Sequence, residues 1–93
     1  MGLSRMLRKR WNIRFTPQTR MDYSHIPRGE AAHFRDAVAL LIDGPKPPGI
    51  KVVEIEPTLF QYQMNGYKIA FEILNSDTIR ILAFERVSSD RDD

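Results

Sequence analysis

The stretch of sequence that decides the fold runs from Phe60 to Ile73 and reads FQYQMNGYKIAFEI. Asn65-Gly66 is the preferred residue pair for a two-residue type I′ turn, and runs of alternating character flank it on both sides. Closing a hairpin at this turn pairs six apolar or aromatic residues across two strands: Met64 with Tyr67, Tyr62 with Ile69, and Phe60 with Phe71. Because side chains alternate along a strand, this register predicts that all six lie on the core side.

A second turn, Asn75-Ser76-Asp77, extends the hairpin by one more strand. Treated as a three-residue loop, it adds three pairs to the core side: Ile73 with Ile79, Phe71 with Ile81, and Ile69 with Ala83. The same register collects the remaining residues on the opposite face, which we call the open face: Gln61, Gln63, Lys68, Ala70, Glu72, Arg80, Leu82, Phe84 and Arg86. We expect Glu72 to form a cross-strand ion pair with Arg80.

The predicted open face is the candidate functional surface of this chain. Its register places Arg86 about one residue pair from Lys68, so cationic side chains converge there with amides and an aromatic ring on a rigid support. An exposed pair of Leu82 and Phe84 on the same face would suit a partner helix that covers it.

The N-terminal half predicts one strand and two helices. Trp11, Ile13 and Phe15 alternate with polar residues, as in a half-buried strand, and Thr16-Pro17 supplies an N-cap for a short helix through residues 21 to 26. A second helix is predicted from about residue 30 to 43, with four apolar residues at helical spacing: Phe34, Ala37, Val38 and Leu41. Gly44 and the prolines that follow end it in a stiff connector. The sequence therefore predicts an α+β fold with two helices packed on a four-stranded, mainly antiparallel sheet.

Length and charge predict a single domain with charged ends. The 93 residues, 42% of them hydrophobic, fit one core, and we divide them into a basic arm (1–10), one domain (11–87) and an acidic tail (88–93). Residues 1–20 carry six basic side chains and no acidic one, whereas the remainder carries a net charge of −4. Such an arm can contact phosphates, acidic lipid or an acidic protein, although a solvated terminus is the simpler interpretation.

Several classes of function are disfavoured. The chain has no cysteine, which excludes disulfides, thiolate metal sites and thiol nucleophiles. His25 and His33 lack the spacing of a helical metal-binding pair. Because the chain has neither an apolar leader segment nor an apolar run of transmembrane length, we expect a cytoplasmic protein with no membrane partner, no metal and no cofactor.

The order of these features resembles the RelE/ParE superfamily of bacterial toxins. A strand ending in Thr-Pro, a helical pair, a proline-rich break and the hairpin run of residues 60–73 carry the resemblance, which covers residues 11–87. Gly66-Tyr67-Lys68-Ile69 stands where the family usually has Gly-Tyr-Arg followed by an apolar residue. Residues 79–86 look like its last strand, which commonly ends in a basic residue. The resemblance implies the growth-inhibiting toxin of a type II toxin–antitoxin module, neutralised by a cognate antitoxin protein.

The resemblance implies two different activities. RelE-like members cleave mRNA on the ribosome as metal-independent endoribonucleases, whereas ParE-like members poison DNA gyrase. For cleavage, Lys68 and Arg86 are the matched positions that would act on the scissile phosphate, with Gln61, Gln63 and Arg80 as substrate-binding neighbours.

Two departures from the RelE-like pattern keep the alternatives open. Gln61 and Gln63 stand where active members usually carry basic residues, and residues 88–93 contain no tyrosine or histidine to serve as an acid or base. The sequence therefore predicts a toxin that is an mRNA interferase, a non-enzymatic gyrase inhibitor, or a diverged and inactive antitoxin-binding member of the family.

Overall fold

The computed structural model describes residues 10–87, and their fold is α+β as expected. The strands are β1 (Asn12–Phe15), β2 (Val53–Glu56), β3 (Leu59–Met64), β4 (Tyr67–Leu74) and β5 (Thr78–Arg86). The helices are α1 (Pro17–Ser24) and α2 (Arg28–Ala39), and a 3-10 helix (Leu40–Asp43) continues α2. The predicted acidic tail, and the predicted basic arm except for Arg10, lie outside the described residues.

The sheet has five strands in the order β1-β5-β4-β3-β2, so the expectation of four strands was one too few. The hairpin of β3 and β4 has the predicted register, with Met64 opposite Tyr67. Asn65 and Gly66 both have positive φ angles, 55° and 83°, as a type I′ turn requires. Strand β1 lies parallel to β5, with Ile13 beside Ile79, which makes the sheet mixed.

The additional strand, β2, forms one edge of the sheet. It alternates valine and isoleucine with glutamate, but Val53 and Ile55 are 43% and 49% exposed. A short edge strand whose apolar side chains do not enter the core has little of the burial signal on which strand prediction depends. It reaches β3 through a tight turn in which Thr58 has a φ of 71°.

A β-bulge in β5 changes the predicted orientation of that strand's C-terminal end. The pairs Ile73–Ile79, Phe71–Ile81 and Glu72–Arg80 form as predicted, but Ala70 then pairs with Ala83, which leaves Leu82 as an extra residue. Ile69 consequently lies opposite Phe84, and its predicted pairing with Ala83 was wrong. Beyond Leu82, each residue of β5 faces the side opposite to the one predicted.

The helices cover the core side of the sheet. Thr16 caps α1 as predicted, since its hydroxyl accepts a hydrogen bond of 3.1 Å from the backbone N–H of Thr19. Helix α1 begins at Pro17, directly after the predicted cap, and ends at Ser24, two residues before the predicted end. Helix α2 begins two residues earlier than predicted, and its α-helical part ends at Ala39. The four apolar residues predicted to be buried on α2 and its extension are buried: Phe34, Ala37, Val38 and Leu41. The buried Tyr62 hydroxyl donates a 2.6 Å hydrogen bond to the Ala37 carbonyl, which joins α2 to β3.

Candidate functional site

The open face of the sheet is formed by alternate residues of β3, β4 and β5 that point away from the helices. Among its members in the structure are Gln61, Gln63, Lys68, Ala70, Glu72, Arg80, Ala83 and Glu85. Because three adjacent antiparallel strands carry these side chains, their spacing is set by backbone hydrogen bonds and not by a loop. The face is therefore a rigid surface.

Lys68 lies near the centre of the open face. Gln63 is its neighbour on β3 and Glu85 its neighbour on β5, with 3.7 Å between Lys68 Nζ and Glu85 Oε2. Lys68 and Gln61 both line two shallow depressions of about 310 and 260 Å³. An ammonium group beside side-chain amides can bind a phosphate or carboxylate, although Glu85 partly offsets its charge.

Lys51 is a second cation at this site, and the sequence analysis did not identify it. It lines the larger depression together with Lys68 and the two glutamines. The connector reaches this position because β2 pairs with β3, which brings Val53 beside Gln61. Only the alternating residues of Val53–Glu56 signalled that pairing, and no motif near Lys51 marks the residue itself.

Arg80, a predicted substrate-binding residue, is held by the cross-strand ion pair expected from the register. Its Nε donates a 2.7 Å hydrogen bond to Glu72 Oε2, and its Nη2 donates to the same oxygen. An arginine that already satisfies a carboxylate in this way has fewer donors for a substrate.

Arg86 lies on the helix side of the sheet, so the prediction that it shares a face with Lys68 was wrong. The bulge at Leu82 is the cause, because it turns both Phe84 and Arg86 towards the helices. The Phe84 ring packs on Phe34 with 4.3 Å between centroids, which also corrects the prediction that Leu82 and Phe84 form an exposed pair on the open face.

The Arg86 guanidinium belongs to a small polar cluster with Glu30 and Tyr67. Arg86 Nη1 and the Tyr67 hydroxyl both donate hydrogen bonds to Glu30 Oε1, the latter at 2.9 Å, and the guanidinium carbon lies 5.8 Å from the centre of the Tyr67 ring. Two hydrogen bonds lower the pKa of Glu30: the one from Arg86, which has the larger effect, and the one from Tyr67. The pKa of Tyr67 is raised, mainly because burial removes water from its hydroxyl and secondly because that hydroxyl donates its hydrogen bond to Glu30.

The remaining candidates lie away from the open face. His25 ends α1, and His33 is on α2, where its carbonyl accepts a 3.1 Å hydrogen bond from Asn65 Nδ2. Within residues 10–87, the histidine, aspartate and glutamate side chains form no group of three that could hold a metal ion. In the same part of the chain, no helix is long and apolar enough to cross a membrane.

Fold and site together define an α+β domain with a five-stranded mixed sheet, two helices on one face and a polar, partly cationic opposite face. The sequence of the chain matches no model of a known protein family and no curated protein.

Proposed function

We propose that this chain is the toxin component of a type II toxin–antitoxin module and that it acts on its target through the open face of the sheet. The resemblance to the RelE/ParE superfamily supports the module, because the elements that carry it follow one another in the order strand, two helices, connector and Asn65-Gly66 hairpin. Lys51 and Lys68, which border one depression on a rigid face, support the choice of surface.

The geometry favours target binding without chemistry, as in the ParE-like gyrase inhibitors. Cleavage by an attacking 2′-hydroxyl needs a proton acceptor, a proton donor and cations around one phosphate. Lys68 and Arg86 project from opposite faces of the sheet, and this separation is the observation that carries the proposal. The amides of Gln61 and Gln63 cannot act as acid or base at ordinary pH.

A ribosome-dependent mRNA endoribonuclease is the second candidate, and one observation favours it. The ammonium groups of Lys51 and Lys68 border the same depression of about 310 Å³, so they could jointly bind an RNA phosphate. Such an enzyme would need its acid or base from the target, because the polar side chains described on β3, β4 and β5 of the open face are amides, a lysine, an ion-paired arginine and ion-paired carboxylates, joined by Lys51 at the depression.

The test is to induce the chain in bacteria without an antitoxin and to map mRNA 5′ ends and DNA breaks in the same cells. We expect growth arrest with DNA breaks and without mRNA cuts, and we expect Lys68→Glu to abolish the arrest because it reverses the charge of the site. Lys46→Glu is the matched control, since Lys46 is an exposed connector residue that does not line the depression.

The other outcomes separate the alternatives. Ribosome-phased mRNA cuts would overturn the binding mechanism in favour of the nuclease. Normal growth with neither signal, while circular dichroism shows a folded chain, would overturn the toxin assignment. Arrest that persists undiminished in the Lys68→Glu variant would remove function from the open face.

A further inference from the structure

An apolar groove lies on the helix side of the molecule, between β1 and the two helices. We call it the helix-side groove; its volume is about 640 Å³. The described residues that line it are apolar or aromatic apart from two arginines: Ile13, Phe15, Arg20, Tyr23, Phe34, Arg35, Val38, Ala39 and Ile42. The groove is on the opposite side of the sheet from Lys68, so it is a surface separate from the open face.

Three packed aromatic rings form the base of the groove. The buried Phe34 ring lies 6.4 Å from the Phe15 ring and 5.6 Å from the Tyr23 ring, measured between centroids. Phe15 and Tyr23 are only half-buried, so part of this aromatic surface faces solvent. A continuous apolar surface of this kind on a small domain is typical of a site that another molecule covers.

The rim of the groove is positively charged. Arg20 and Arg35 carry this charge. An adjoining depression of about 330 Å³ continues from Arg20 around the edge strand β1 to Arg14, which its register with Arg80 places on the open face. Among the described residues that line the two spaces, none is an aspartate or a glutamate.

Neither of the two arginines that line the groove, Arg20 and Arg35, forms a salt bridge with a described carboxylate. Within the described part of the chain, every arginine salt bridge belongs to Arg80 or Arg86, which are paired with Glu72 and Glu30. Arg35 donates a 3.0 Å hydrogen bond to the Tyr23 hydroxyl, and its positive charge is not offset by that neutral partner. The groove therefore presents apolar surface and uncompensated positive charge side by side.

We infer that the helix-side groove docks a segment of a partner protein that combines apolar side chains with carboxylates. The apolar side chains would pack on Phe15, Tyr23 and Phe34, and the carboxylates would pair with the rim arginines. A basic or purely apolar segment would leave these arginines uncompensated beside it. The inference goes beyond the proposed function, since it concerns a different surface and holds whether or not the chain arrests growth.

The test uses a random peptide library displayed on phage, selected against the full folded chain. We expect the selected peptides to be enriched in leucine, isoleucine or phenylalanine together with aspartate or glutamate. Ala39→Glu places a negative charge in the groove at an exposed helix position. We expect this variant to bind the selected peptides with an affinity at least about tenfold lower than that of the wild-type chain. Ala32→Glu, at an exposed position of the same helix outside the groove lining, is the matched control and should leave their affinity unchanged.

A second variant pair tests the charge component. Arg35→Glu should lower the affinity and remove much of its salt dependence, whereas Arg28→Glu, an exposed arginine that does not line the groove, should change neither. Selected peptides without carboxylates, or peptides that bind the Ala39→Glu variant as tightly as the wild-type chain, would overturn the inference.

Two further outcomes would show that the groove is occupied by something other than a partner protein, and either would overturn the inference. If light scattering finds that the chain is a dimer that Ala39→Glu dissociates, the groove holds a second copy of this chain. If peptides are selected only after residues 1–9 are removed, that segment of the chain occupies the groove. The peptide measurements do not depend on toxicity, so their failure is distinguishable from failure of the proposed function.

Discussion

At the scale of single residues, the carboxylate of Glu30 connects three elements. It lies in the first turn of α2 and accepts hydrogen bonds from Tyr67 at the start of β4 and from Arg86 at the end of β5. The pKa of Glu30 is lowered because both bonds favour its charged form. The cluster therefore stabilises the fold more when the Glu30 carboxylate is ionised than when it is protonated.

The first prediction concerns the pH dependence of stability. A carboxylate whose pKa is lowered on folding contributes its full stabilisation above its unfolded pKa, about 4.3. That stabilisation is lost as the pH falls through the folded pKa. We expect urea unfolding between about pH 3 and 7 to show a smaller acid loss of stability for Glu30→Gln than for the wild-type chain.

Glu54→Gln is the control for this measurement, because Glu54 is exposed and forms no salt bridge within residues 10–87. It should retain the wild-type acid profile. An unchanged profile in the Glu30→Gln variant would contradict the role of the cluster.

At the scale of elements, the bulge in β5 decides which side chains reach the helices. One extra residue, Leu82, turns Phe84 onto the Phe34 ring and places Ala83 on the open face. Without it, Ala83 would face the core and Phe84 would be exposed. The gain in buried aromatic surface is a physical reason for the sequence to adopt the bulged pairing.

The second prediction distinguishes the two registers of β5. Phe84→Ala should lower the free energy of unfolding by about 2–3 kcal/mol, because it removes a partly buried ring from the aromatic cluster. Ala83→Ser should change it by less than about 0.5 kcal/mol, since an exposed position accepts a hydroxyl. Chemical denaturation measures both values, and a larger loss for Ala83→Ser than for Phe84→Ala would indicate the register without the bulge.

At the scale of the whole molecule, the sheet separates two surfaces of different chemistry. The helix side carries the core and the helix-side groove, whereas the open face carries Lys51, Lys68 and the two glutamines. Strand β4 is the central strand between β5 and β3, and β1 and β2 are the edges of the described sheet.

The third prediction is a hierarchy of protection within the sheet. Native-state hydrogen exchange should be slowest in β4, which pairs on both sides and has three buried residues, Tyr67, Ile69 and Phe71. Amides of β2, an edge strand whose residues are all exposed, should exchange much faster because it can open without exposing the core. Equal protection of β2 and β4 would contradict this arrangement.

The sequence alone predicted the parts of the fold that depend on local chemistry. The Asn65-Gly66 turn fixed the register of β3 and β4, Thr16 and Pro17 located the start of α1, and helical spacing identified the buried side of α2. It also placed Lys68 on the open face and paired Glu72 with Arg80, because both follow from strand alternation near a turn.

Only the tertiary structure decided the features that depend on pairing between distant segments. The bulge at Leu82 moved Arg86 from the open face to Glu30, the pairing of β2 with β3 brought Lys51 to Lys68, and the parallel contact of β1 with β5 formed one wall of the helix-side groove. Local propensity determines alternation and turn type, which neighbouring residues set. A bulge or an edge pairing is chosen by how much apolar surface the assembled domain buries, and that quantity exists only once the chain has folded.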